Sequence, residues 1–125
     1  MTLRKVLLVD DEDDIRTVGH LSLSRVGGWQ TLLASSGAEA VAQAAAERPD
    51  LILLDVMMPG MDGPTTLSQL RAQEATASTP IIFMTAKIQK QELTRYLELG
   101  ALGVISKPFD PMTLPTEIKK LLPSS

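Results

Sequence analysis

Leu51-Ile52-Leu53-Leu54-Asp55-Val56-Met57-Met58-Pro59-Gly60-Met61-Asp62-Gly63 is a short apolar run that stops at an acid and runs into a turn marked by proline and glycine. A run of that length, apolar without alternation and bounded by turn residues, suits a strand buried on both faces. Four more such runs lie along the chain: Val6 to Val9, Thr31 to Ala34, Ile81 to Met84 and Val104-Ile105. The segments between them read as helices, over residues 13–26, 37–47, 64–73, 88–98 and 111–122. Ser36-Gly37-Ala38-Glu39 is a capping box, Pro64 a first-turn proline and Gly100 a C-terminal cap. On the first helix Ile15, Val18, Leu23 and Val26 mark the core face. Gly19 and Ser22 share that face, which predicts looser packing there. On the last helix the core face is Leu114, Ile118 and Leu121.

Strand and helix thus alternate five times, which predicts an α/β fold, a doubly wound parallel five-stranded sheet with helices on both faces. Five strands fit the flavodoxin-like order 2-1-3-4-5, in which ligands sit beyond the carboxyl ends of the strands. Those ends carry the chemistry: Asp10 and Asp11 after the first strand, Asp55 after the third, Thr85 after the fourth, Lys107-Pro108 after the fifth. Two carboxylates about 4 Å apart repel by roughly 4 kcal/mol at an effective dielectric near 20. In a cluster of three, either some protonate or a cation compensates, and an oxygen-only set suits Mg²⁺. Lys107 adds a point charge suited to phosphate, and the Thr85 hydroxyl can donate to a phosphoryl oxygen. A carboxylate so placed is a nucleophile toward phosphorus.

Composition narrows the class further. The 125 residues make one domain, and the absence of cysteine excludes thiolate zinc sites and thiol catalysis. Aromatics are 3% and the net charge is -3, which argues against nucleic-acid binding. No apolar run approaches bilayer length, so a cytoplasmic protein without membrane contact is expected. Asp10, Asp11, Glu12, Asp13 and Asp14 are five consecutive acids. The last three read as solvated charge at a helix start, favoured by the helix dipole. Asp62 reads as a turn residue, and His20, off the apolar face, as solvent-exposed.

The phosphoacceptor-like segment from Asp55 to Gly63, the pair Asp10-Asp11, Thr85-Ala86 and Lys107-Pro108-Phe109 together resemble the receiver domain of two-component response regulators across essentially the whole chain. The resemblance implies that Asp55 is phosphorylated, that Asp11 binds Mg²⁺ directly and Asp10 mainly through water, and that the Met57 carbonyl is a further metal ligand. It implies that Thr85 and Lys107 bind the phosphoryl group, that the Lys107-Pro108 peptide is cis, and that Met57, Ala86 and Lys87 tune phosphoryl lifetime. The donor would be a sensor histidine kinase or a histidine phosphotransfer protein, and the output a downstream protein, with no turnover of an external substrate. The expected organisation is a single receiver domain over residues 1–125 with no effector domain.

Three features depart from the family pattern. Val104 stands where an aromatic switch residue is common, so no switch aromatic is assigned there. Pro115 falls inside the expected last helix, where an interior proline costs about 3 kcal/mol, so either that helix starts later or its first turn is irregular. Gly19 and Ser22 thin the first helix. Two rival classes lack their own signatures. An aspartate-nucleophile phosphatase of the haloacid dehalogenase type needs an acid where Met57 stands, and a flavodoxin-like cofactor carrier needs a hydroxyl-rich loop where the chain has Asp10-Asp11. A degenerate receiver acting only as a binding module is the third alternative.

Overall fold

The computed structural model describes residues 2–86 and 88–123. Strands β1 (Lys5–Val9), β2 (Gln30–Ala34), β3 (Leu51–Asp55), β4 (Ile81–Thr85) and β5 (Gly103–Ser106) alternate with helices α1 (Asp13–Leu21), α2 (Gly37–Glu47), α3 (Gly63–Ala72), α4 (Lys90–Glu98) and α5 (Leu114–Leu121). All neighbours in the sheet are parallel and the order is β2-β1-β3-β4-β5. Among the described residues no helix is long and apolar enough to cross a membrane.

Side chains alternate across the sheet with period two, and this divides the apolar residues between two cores. Val6, Leu8, Leu51, Leu53, Ile82, Met84 and Ile105 face α1 and α5, where Leu23, Leu114 and Ile118 cover them. Leu7, Val9, Ile52, Leu54, Ile81 and Phe83 face α2, α3 and α4. The central strands β3 and β4 are buried throughout, as their unbroken apolar runs require. The edge strands β2 and β5 are only half-buried.

The first helix corrects two expectations. Val18 and Val26 are exposed, at 38% and 44%, while Gly19, Ser22 and Leu23 are buried. The core face is therefore built from the small residues. A Cβ at Gly19 would run into Leu8 of β1, so the missing side chain permits close helix–sheet approach rather than loosening it. From Ser22 to Val26 the helix widens into a π-turn. The last helix starts at Leu114, three residues later than expected, and Pro115 stands in its first turn. A proline there gives up no helical hydrogen bond, so it carries no interior penalty.

The caps hold, with one change. Ser36 Oγ accepts from the Glu39 amide at 3.2 Å, but the Glu39 carboxylate turns to the Ser35 hydroxyl instead of closing the box. Asp62 is the N-cap of α3, its Oδ1 accepting from the Thr65 amide at 2.9 Å. Gly100 closes α4 at φ 106°, a conformation glycine adopts without strain.

Gly63 sets α3 against the end of β3. A Cβ there would lie 2.7 Å from the Asp55 carbonyl oxygen and 2.8 Å from the Val56 Cα, both backbone atoms with no freedom to yield. Gly63→Ala is expected to destabilise the fold by about 1–3 kcal/mol, the usual cost of overpacking. Urea denaturation measures this, and an unchanged midpoint would mean that α3 moves away at no cost.

Candidate functional site

The strand order brings the carboxyl ends of β1, β3, β4 and β5 side by side, and the charged residues gather there. Asp10 follows β1 and Asp55 ends β3. Both are buried, at 0% and 2% exposure. Asp11 is exposed, yet one carboxylate oxygen from each of Asp10, Asp11 and Asp55 lies within 4.8 Å of the others. Lys107, just past β5, reaches back over this cluster. Its Nζ is 2.8 Å from Asp10 Oδ2 and 3.4 Å from Asp55 Oδ2. The Lys107 amide donates to the Thr85 carbonyl at 2.9 Å, and the Lys107–Pro108 peptide is cis.

Local backbone hydrogen bonds fix the other oxygens. Asp10 Oδ1 accepts from the Glu12 amide at 2.9 Å, and Asp55 Oδ1 from the Met57 amide at 3.3 Å. The two remaining oxygens, Asp10 Oδ2 and Asp55 Oδ2, are buried and have no well-directed hydrogen-bond donor, although the Lys107 ammonium lies close to both. Buried carboxylate oxygens in that state are costly. Together with the exposed Asp11 they form an oxygen-only set open to solvent on one side, the donor chemistry of a hard divalent cation that keeps part of its water shell.

The charge balance shows in the proton affinities. Burial, then the neighbouring Asp10 charge, push Asp55 up from 3.8 to about 6, against the pull of Lys107. For Lys107, burial opposes the charged form. The contact with Asp10 and the charges of Asp55 and Asp10 outweigh it, so the ammonium is held above its ordinary value. Near neutral pH the site thus holds an ionised, under-compensated carboxylate beside a secure cation.

Thr85 ends β4 in register with Ser106 and is 7% exposed. It lines a cavity of about 290 Å³ with Val56, Met57, Ala86, Glu92 and Tyr96. Met57 projects at the mouth, 75% exposed, and Ala86 is also exposed. Lys87 lies outside the described residues. Val104 is half-buried and packs on the α2–α4 core, paired with Phe83. His20 is exposed.

Two residues escape the strand-end reading. Glu12, expected to be simple helix-start charge, brings Oε1 to 3.7 Å from the Lys107 ammonium. Its adjacency to Asp10-Asp11 was the only available signal. Tyr96 forms a wall of the Thr85 cavity, and nothing in the apolar spacing of its helix distinguishes it from Leu97 or Leu99, which are exposed.

Without a bound cation, the raised proton affinity of Asp55 couples to stability. The folded state holds this proton more tightly than the unfolded state, so stability falls as pH rises from 3.8 to about 6 and stays lowered above. In the presence of a chelator, Asp55→Asn should therefore stabilise the protein at pH 7.5 by about 1–2 kcal/mol, and the gain should shrink toward pH 4. Urea titrations at the two pH values check this. An equal effect at both would show that the charge of Asp55 is not the cause.

Comparison with known proteins matches the sequence and the fold to a family. The family model described as "Response regulator receiver domain" matches residues 6–119. The alkaline phosphatase synthesis transcriptional regulatory protein PhoP of Bacillus subtilis is 41% identical over 119 residues, 95% of this chain and 48% of that protein. The phosphate regulon transcriptional regulatory protein PhoB of Pseudomonas aeruginosa is 38% identical over 122 residues, 98% of this chain and 53% of that protein. The chain spans about half the length of these curated relatives. Among solved structures, the Vibrio cholerae chemotaxis response regulator CheY4 superposes with a TM-score of 0.88 at 35% identity, covering 97% of this chain and 100% of that one. With the family model, the sequence identity and the fold in agreement, the chain belongs to the response regulator receiver domain family.

Proposed function

We propose that Asp55 accepts a phosphoryl group from the phosphohistidine of a sensor kinase or a histidine phosphotransfer protein, and that its occupation changes a protein-binding surface. The observation that carries this reading is the position of Asp55: 2% exposed, 3.4 Å from Lys107, beside Asp10, with a proton affinity that leaves it ionised near neutral pH. A carboxylate oxygen attacks phosphorus as the bond from phosphorus to the imidazole nitrogen breaks, and the aspartyl phosphate forms. The reaction is on the protein's own side chain.

Lys107 stabilises the charge that gathers on the phosphoryl oxygens, and its contacts with Asp10, Asp55 and Glu12 hold it in place before the donor arrives. Thr85 ends the neighbouring strand β4, and its hydroxyl donates to a phosphoryl oxygen. Asp10, Asp11, Asp55 and the Met57 carbonyl would hold Mg²⁺, which neutralises charge between the carboxylates and the phosphoryl group when bound. The Met57 side chain, exposed at the mouth, shields the phosphoryl group from attacking water.

Two outcomes follow. Incubation with Mg²⁺ and acetyl phosphate should add one phosphoryl group by intact mass, and Asp55→Asn should add none. Addition to Asp55→Asn, or none to the wild type, would remove the reading. Met57→Asn should shorten the phosphoryl half-life by about tenfold, a barrier change of about 1.4 kcal/mol, and a half-life assay with quenched time points measures it.

A further inference from the structure

We infer that Tyr96 is the positioning residue through which Thr85 sets the placement of helix α4, a reading that rests on the phosphorylation of Asp55 proposed above. Three observations support it. Phe83 and Thr85 lie two residues apart on β4 and therefore on one face of the strand, toward α4. The Tyr96 ring packs on Phe83 with centroids 4.9 Å apart and planes tilted by 59°, an arrangement that aromatic pairs favour. Thr85 and Tyr96 then border the same cavity of about 290 Å³, so there is room beside each for the other to move.

The way α4 is held gives this contact its leverage. Tyr96 is the one buried residue of the helix, at 5% exposure. Leu97 and the flanking Ile88 and Leu99 are exposed, at 46%, 43% and 36%. At its C-terminal end the chain turns through Gly100 at φ 106°, and the Ala101 amide donates to the Tyr96 carbonyl at 3.1 Å. An element with one buried side chain, and among its other apolar residues only the half-buried Leu93 beside it, sits at the low end of local stability, and what moves that buried side chain bears directly on the element. The phenol is neutral near pH 7, and burial and then the Glu92 charge raise its proton affinity further. Val104, opposite Phe83 on β5, has no ring with which to take this role.

Tyr96 is the only tyrosine in the chain, which makes the test direct. Protein carrying 3-fluorotyrosine has a single ¹⁹F resonance. Phosphorylation with Mg²⁺ and acetyl phosphate, with intact mass reporting occupancy in every sample, should shift that resonance. The shift per phosphoryl group should persist in Thr85→Ser and be lost in Thr85→Ala, whereas a purely structural role for Tyr96 would leave it the same in both. A resonance that does not move in the phosphorylated protein, or moves equally in Thr85→Ala, overturns the coupling while leaving Asp55 as phosphoacceptor. Absence of any added phosphoryl group in the wild type overturns both.

Discussion

Two buried carboxylates share one ammonium, and the rest of the molecule is arranged around that imbalance. Asp10 and Asp55 are almost wholly out of water, and Lys107 lies 2.8 Å and 3.4 Å from them. One cation cannot balance two anions, and the exposed Asp11 adds a third. Such a cluster survives only if the scaffold is stiff enough to impose it. Here the scaffold is the fully buried pair β3 and β4, flanked by β1 and β5, with an apolar core on each face. The strain is electrostatic, and it is stored in a rigid sheet rather than in a mobile loop.

Much of this was legible in the primary structure. Continuous apolar runs at five places, each followed by a helical stretch, are compatible with few folds other than a parallel sheet covered on both faces. Once that is granted, the rule that chemistry sits at the carboxyl ends of strands picks out Asp10, Asp11, Asp55, Thr85 and Lys107 with no further information. Helix faces were harder to read. Val18 looked like core and is exposed, while Gly19 and Ser22 looked like defects and are the buried contact. Apolar spacing records which side chains prefer burial. It does not record how closely two backbones approach, and at Gly19 the approach decides the face. At α5 the apolar spacing alone placed the start too early, while Pro115 pointed to the later start that the structure has: a proline is unfavourable only inside a helix, and the helix begins at Leu114.

The two faces of the sheet are unequal. On one side Leu23 of the π-turn after α1, Phe109 of the segment after β5, and Leu114 and Ile118 of α5 cover β1, β3, β4 and β5. On the other, α2 and α3 contribute Ala40, Ala44, Leu67 and Leu70, while α4 contributes Tyr96. The same fold thus combines a tightly held half and a lightly held helix next to the charged crevice. Stability is concentrated where the carboxylates need a fixed frame, and it is thin where a change in the crevice can be expressed at the surface.

The order of the strands along the chain also has a temporal meaning. Asp10 belongs to the first strand and Lys107 follows the last, so the ion pair between them closes a loop of nearly the whole domain. On a ribosome the two acidic strand ends emerge long before their cation does. Until β5 pairs with β4, Lys107 is not in place and the acids lack its opposite charge. The charged crevice is therefore assembled only with the fifth strand, and a half-made chain carries its acids without their lysine.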